Sequence, residues 1–354
     1  MMHYEELHPF PNCPVLDGCH CQTNSLAKMF RYYNHPLSED MLLGIGSGMG
    51  YRLWFHRGIR PFTDGRINLD NFFTDIAKRT GITIRVKCTP NRKKAESILL
   101  NKLLKQKPVM ISGDLGLLPW FAMQEDYHFG LHTFVICGYN GINTVLASDI
   151  EQKAGKLKKG FYHPISLKQL AEARDSHHQP FLPRNRYFEF DFSNFHYPRK
   201  EDIYDSIKQT IDQLLNPPIR TIGVQGLRYT ARQLLRWPEM FSDKLLRTYL
   251  FHFYTFIEVG GTGGGCFRYM YARFLKEAEL ITGDAALGEA SAQMNEAGKL
   301  FTEAGLLFKD AYKVKDLPDR IERAALLFNR IAELEQSTFH KIAVIDKHLL
   351  YNDI

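Results

Sequence analysis

A nucleophile, a base and an acid are spread over the first 150 residues. The stretch GCHCQTNSLAKMF (18–30) sets Cys21 at the expected start of a helix, where the macrodipole lowers a thiol's pKa. Further on, LHTFVICGYNGINTVLASDI (131–150) holds two alternating apolar runs on either side of Asn140-Gly141. A two-residue type I′ hairpin turn favours that dipeptide, because both its central residues need positive φ. Centring the turn there pairs Tyr139 with Ile142 and, counting back, His132 with Asp149. Phe134 and Ile136 then share a face with them, opposite Ala147 and Val145. Directly opposed Cβ atoms lie about 4.5–5.5 Å apart, within reach of an imidazole–carboxylate hydrogen bond. A histidine so held is an oriented base, and Cys21 is the nucleophile it would serve. In the competing reading His132–Asp149 is a structural polar pair and Cys21 a small buried side chain.

The elements that must position these residues are mixed. Leu26, Met29, Phe30 and Tyr33 recur at helical spacing after Cys21. HPLSEDMLLGIG restarts a helix near Pro36, with Ser38 as its N-cap and Gly44 as its stop. Residues 68–80 and 93–105 read as helices, and GITIRVKC and KPVMISGD as strands. A cysteine opening a helix, followed more than a hundred residues later by a histidine and an acid on strands, is the order of papain-like enzymes. From RKEDIYDSIKQTIDQLL onward the patterns are almost all helical, broken by NPPI (216–219) and the glycines at 260–265. A boundary in FHYPRK gives an α+β domain over 1–195 and an all-α domain over 196–354.

Composition narrows the function. The 354 residues are 44% hydrophobic and 24% charged, ordinary for a soluble protein. No run of 18 apolar residues suggests a membrane span, and MMHYEELHPF lacks a leader pattern. The cytoplasm is therefore the expected address. Six unevenly spaced cysteines do not form a disulfide framework. A net charge of +6 suits an acidic partner such as a carrier protein and is too small to argue for nucleic acid. The basic runs Arg92–Lys94 and KLKK (156–159) read as solvated faces.

Other candidates carry less chemistry. Cys19 lies just outside the expected helix, and a metal site on Cys13, Cys19, His20 and Cys21 lacks paired zinc spacing. GIGSGMGY (44–51) follows a helix and has no phosphate-loop lysine. Its Gly46 and Gly48 belong either to a backbone-exposing turn beside the active site or to a packing turn. In GGTGGGCFRYMY (260–271) the glycines open a helix expected over 267–281. There Gly263, Gly264 and Arg268 could hold a phosphate, or make a tight interhelical turn. His128, His163, His177 and His178 have no evident partner, and Trp120 and Phe121 line either an acyl pocket or the core.

HCQTNSLAKMFRYYNHPLSEDMLLGIGSGMGY (20–51) resembles the N-terminal signature of the butirosin-biosynthesis protein H family. GTGGGCFRYMYARFL (261–275) resembles that of the helical domain following it. The two stretches lie in the expected order and together imply nearly the whole chain; the resemblance implies a papain-like N-terminal domain, with Cys21 as nucleophile and His132 and Asp149 completing a triad. It also implies acyl transfer from an acyl carrier protein thioester to an amine of a small natural product. The expected partners are then an acyl carrier protein or acyl-CoA and an amine-bearing acceptor, and a homodimer is an allowed assembly. The donor's phosphopantetheine arm is substrate, and no metal or redox cofactor is expected. Val15 stands where papain-like enzymes often carry an oxyanion-binding glutamine. That leaves the Cys21 N–H as first donor, and the 15–19 loop, Gln22 or Asn24 for the second. Two rival readings share these residues: a cysteine peptidase or amidohydrolase with water as acceptor, and a binding module without turnover.

Overall fold

A computed structural model describes residues 7–55, 61–121, 127–151 and 157–349. The opening residues of the leader reading and Lys156 of the second basic run lie outside the described residues. In chain order the elements are α1 (Cys21–Tyr32), α2 (Glu39–Ile45), β1 (Met49–Trp54), β2 (Phe62–Arg66), α3 (Phe72–Thr80), β3 (Thr83–Lys87) and α4 (Arg92–Leu103). Next come β4 (Val109–Gly113), β5 (His132–Tyr139), β6 (Thr144–Ile150), β7 (Gly160–Ser166), α5 (Leu167–Arg174) and β8 (Tyr187–Asp191). The chain ends in α6 (Lys200–Leu215), α7 (Gly223–Met240), α8 (Asp243–Tyr254), α9 (Arg268–Thr282), α10 (Ala285–Leu306) and α11 (Leu317–Leu349). Among the described residues no helix is long and apolar enough to cross a membrane.

The chain divides into two compact units. The first runs to Leu42 and resumes from Thr80 to Tyr197; the second takes Leu43–Arg79 and the chain from Pro198 on. Residues 43–79, which a single cut at 195/196 leaves in the N-terminal part, thus join the helical unit.

The first unit is built on a six-stranded antiparallel sheet in the order β3-β8-β4-β5-β6-β7. Its central strands β4 and β5 are buried almost throughout, as strands covered on both faces must be. Helix α1 is buried from Thr23 to Phe30. Ser38 caps α2 by accepting from Met41 N at 2.8 Å.

The β5–β6 hairpin departs from the two-residue turn in two ways. Asn140 does not sit at the centre of a type I′ turn. Its Oδ1 accepts from the N–H groups of Ile142, Asn143 and Thr144 at 3.0, 3.1 and 3.0 Å, closing a longer loop in which Tyr139 pairs with Val145. The ladder then slips at a bulge between Ile136 and Gly138, after which Ile136 faces Ala147 and Val135 faces Ser148. His132 is therefore not directly opposite Asp149; continuing the ladder sets Phe134 there and His132 one diagonal step away. Without the bulge Asp149 would lie on the other face, since a one-residue slip inverts every side chain. The loop and bulge together shift the pairing by two residues, which preserves the face. Gly138 makes the bulge possible, because a Cβ there would meet His8 O at 2.6 Å and Leu146 Cβ at 2.9 Å.

The second unit packs α7, α8, α10 and α11 around a core that includes Leu227, Trp237, Phe253, Phe301 and Phe328. The β1–β2 hairpin contributes Tyr51 and Leu53, and the Tyr51 hydroxyl lies 2.7 Å from Thr230 Oγ1. These strands carried no clear period in the sequence.

Candidate active site

Cys21 is the first residue of α1, after an extended His20 (φ −129°, ψ 131°). It shares one helical face with Ser25 and Lys28, at i+4 and i+7. Both are buried polar residues with a defined target. Ser25 Oγ donates to Thr133 O at 3.0 Å, and Lys28 Nζ donates to Ser148 O at 3.1 Å. Helix α1 is thus keyed to the residue after His132 on β5 and to the residue before Asp149 on β6.

His132 Nε2 lies 2.7 Å from Asp149 Oδ2, and both side chains are nearly inaccessible to solvent. The Cys21 thiol is close enough to His132 and to the Thr133 backbone for both to lower its pKa. With Nε2 bonded to Asp149, Nδ1 is the ring nitrogen left over. Asp149 is held further by Trp120 Nε1, donating to Oδ2 at 3.0 Å, and by Ile150 N, donating to Oδ1 at 2.8 Å. The Trp120 ring stacks on His163 with centroids 4.7 Å apart, and Phe121 meets His132 edge-on at 5.0 Å.

Electrostatics match this geometry. Burial raises the Cys21 thiol, but its hydrogen bond to His132 and the imidazolium charge outweigh burial and leave it below the ordinary value of 9.0. Burial lowers His132, while the charge and hydrogen bond of Asp149, joined by Cys21, raise it to about 10. Asp149 is lowered overall, with the charge of His132 as the main opponent of burial and that of Lys28 assisting. With the thiol below 9.0 and the imidazole raised to about 10, these directions favour a thiolate–imidazolium pair beside a carboxylate over the neutral thiol and imidazole.

Glu39, from the HPLSE segment, builds the loop before Cys21. Its carboxylate accepts from Cys19 N at 3.2 Å, His20 N at 3.1 Å, Thr23 Oγ1 at 2.9 Å and Asn24 Nδ2 at 2.8 Å. Gly18 leaves room for this, since a Cβ there would meet Glu39 Oε1 at 1.8 Å.

Several candidate residues go elsewhere. Asn24 is not placed as an oxyanion donor; its amide is spent on Glu39 and on the carbonyls of Leu16 and Asp17. Gln22 lies half-buried on the first turn of α1. Gly46 and Gly48 are buried in the second unit, the first accepting from Asn68 Nδ2 at 3.0 Å and the second donating to Leu43 O. That is a packing turn.

The phosphate reading of Gly263, Gly264 and Arg268 is overturned. Arg268 is wholly buried, pairs with Glu335 through Nε at 2.7 Å and Nη2 at 3.0 Å, and donates to Gly50 O and Cys266 O. Gly263 and Gly264 are buried; Gly264 N donates to Thr262 Oγ1, and Gly265 N donates to the Glu258 carboxylate. The N–H groups of Gly264 and Gly265 are thus bonded within the fold.

Several side chains read as unpartnered or solvated also have a place. His128 Nδ1 lies 2.9 Å from Asp114 Oδ2 and stacks on His178. His177 lines a cavity with Cys88 and Arg184. Lys158, from the basic run assigned to a solvated face, is 5% exposed. Ser25, Lys28 and Glu39 were missed as site residues; the one signal for the first two is their spacing from Cys21.

Two family models match the chain. Residues 20–149 match butirosin biosynthesis protein H, N-terminal, and residues 168–342 match a domain of unknown function, DUF4872. No curated protein matches it. Cys21, His132 and Asp149 all fall within the first match, so the candidate site lies in the part of the chain that is similar to the butirosin biosynthesis protein H N-terminal family, with the DUF4872 match after it.

Proposed function

We propose that this chain is a cysteine-dependent acyltransferase of natural-product biosynthesis with a papain-like N-terminal domain, moving an acyl group from a carrier-protein or coenzyme A thioester to an amine. The observation that carries the reading is buried His132, held by Asp149 through Nε2 at 2.7 Å, with the Cys21 thiol at the start of α1 lowered by it and the imidazole raised to about 10. The name of the matching family supports a biosynthetic role.

In this reading the Cys21 thiolate attacks the thioester carbonyl, forming a carbon–sulfur bond and an oxyanion. Collapse breaks the donor's carbon–sulfur bond, and the departing thiolate takes the proton of His132 imidazolium. An amine then attacks the acyl-enzyme, neutral His132 accepts its proton, and Cys21 leaves as thiolate. The thiolate–imidazolium pair is restored, and the product is an amide. Asp149 keeps Nε2 bonded throughout, so Nδ1 carries the moving proton.

The acceptor is tested by incubating the protein with a panel of acyl N-acetylcysteamine thioesters and a mixture of amines. Amide formation that depends on Cys21 is the expected result. Free acid alone would make the protein a hydrolase, and no turnover or adduct would leave it a binding module.

A further inference from the structure

We infer that a cavity of about 300 Å³ in the first unit is a binding site for a small organic carboxylate, held by Arg184. The site goes beyond the acyl-transfer reading and does not depend on it, since neither Cys21 nor His132 nor Asp149 lines this cavity.

A cavity of this size is at the lower end of small-molecule sites, roughly 300–1,000 Å³. Its wall joins the segment after β3 to the approach to β8. Thr89 N donates to Arg184 O at 3.3 Å, which sets Arg184 beside Cys88, and Pro90 and Leu182 add apolar surface. Among the described residues the Arg184 side chain has no hydrogen-bond or ion-pair partner. Its backbone makes the choice of residue informative. Arg184 has φ 54° and Asn185 φ 51°. Glycine adopts that left-handed region freely and asparagine tolerates it, but arginine is strained there. The surrounding chain holds the strain in place. Asn185 N donates to Arg174 O at 2.9 Å, Arg186 N to Pro183 O at 3.0 Å, and Asn185 Nδ2 to Asp175 Oδ1 at 2.6 Å. A turn needed only for the fold is better served by glycine at 184. Arginine kept there against its own backbone preference points to a use for the guanidinium.

The charges select the ligand. Asp175 also lines the cavity, and its charge opposes entry of a dianion such as phosphate. The single guanidinium fork of Arg184 matches the two oxygens of one carboxylate. Pro90 and Leu182 suit the short carbon chain of a monoanionic organic acid.

Cys88 is a free, exposed thiol in the wall of this cavity and reports on it. Rates of alkylation of Cys88 by iodoacetate and by iodoacetamide are read by peptide mass spectrometry at fixed ionic strength, in folded and in urea-unfolded protein. The iodoacetate-to-iodoacetamide ratio should be about tenfold higher in the folded wild type than in the unfolded chain, as one charge-assisted hydrogen bond gives. Arg184→Gly, which suits the left-handed backbone, should return the ratio to the unfolded value and leave the iodoacetamide rate and the ratio at Cys21 unchanged. Butyrate should protect Cys88 from iodoacetamide in the wild type and not in Arg184→Gly. If that variant does not fold, Arg184→Asn carries the same comparison. A folded ratio equal to the unfolded one, a raised ratio that survives loss of Arg184, or no protection by butyrate would overturn the proposal. Stronger protection by inorganic phosphate than by butyrate would overturn it too.

Discussion

Asp149 works through both of its oxygens, and that fixes what His132 can do. Oδ2 takes His132 Nε2 and Trp120 Nε1, and Oδ1 takes Ile150 N, which holds the imidazole through Nε2 and leaves Nδ1 for the moving proton of the proposed reaction. One consequence is measurable with iodoacetamide, which reads thiolate. In the wild type the alkylation rate should rise with pH through a midpoint below 9.0, because the imidazolium favours the thiolate over the burial that opposes it. In His132→Ala that support is gone while burial remains, so the midpoint should move upward. An unmoved midpoint would mean that His132 does not set the thiol. Sequence spacing named these three residues. It could not show that Trp120 would close on the carboxylate, because a tryptophan in a Pro- and Leu-rich stretch reads equally well as core.

At the scale of elements, α1 and the β5–β6 hairpin have to meet in one register. The helix was legible from its period and its cysteine, and α2 from Ser38. The hairpin was legible in its strands but not in its loop. Asn-Gly specifies a turn locally, yet Asn140 uses its side chain to cap a longer loop, and the bulge depends on the approach of His8 to Gly138, more than a hundred residues away in the chain. Glu39 was legible only as part of a motif, because its four donors, in Cys19, His20, Thr23 and Asn24, are met only after folding. Glu39→Gln sets an amide N–H₂ against some of those donors and removes the charge. It should destabilise the protein by about 1.5–3 kcal/mol, measured by denaturant unfolding, and slow acyl-enzyme formation. Full stability with full acylation would show that the loop stands without it.

At the scale of the whole molecule, the sequence separated an α/β part from a helical part but could not tell that residues 43–79 belong with the helices. Two short strands there are defined by what packs on them, Thr230 and the aromatic core, rather than by their own period. Arg268 shows the same limit. In a glycine-rich segment it suggested a phosphate site, and its real partner, Glu335, lies 67 residues away on α11. Arg268→Ala leaves Glu335 buried without its counter-charge and should cost about 3–5 kcal/mol of stability, again by denaturant unfolding. Among molecules still folded, coenzyme A and phosphate-free thioesters should be affected alike; a selective loss with coenzyme A would reinstate the phosphate role. The central claim, that Cys21 receives an acyl group as the first step of transfer, is tested most directly by intact-protein mass spectrometry after incubation with acyl thioesters. The wild type and Cys19→Ala should each gain one acyl mass, Cys21→Ser none, and the acyl group should be discharged when an acceptor amine is added. An adduct retained in Cys21→Ser and lost in Cys19→Ala would contradict the claim.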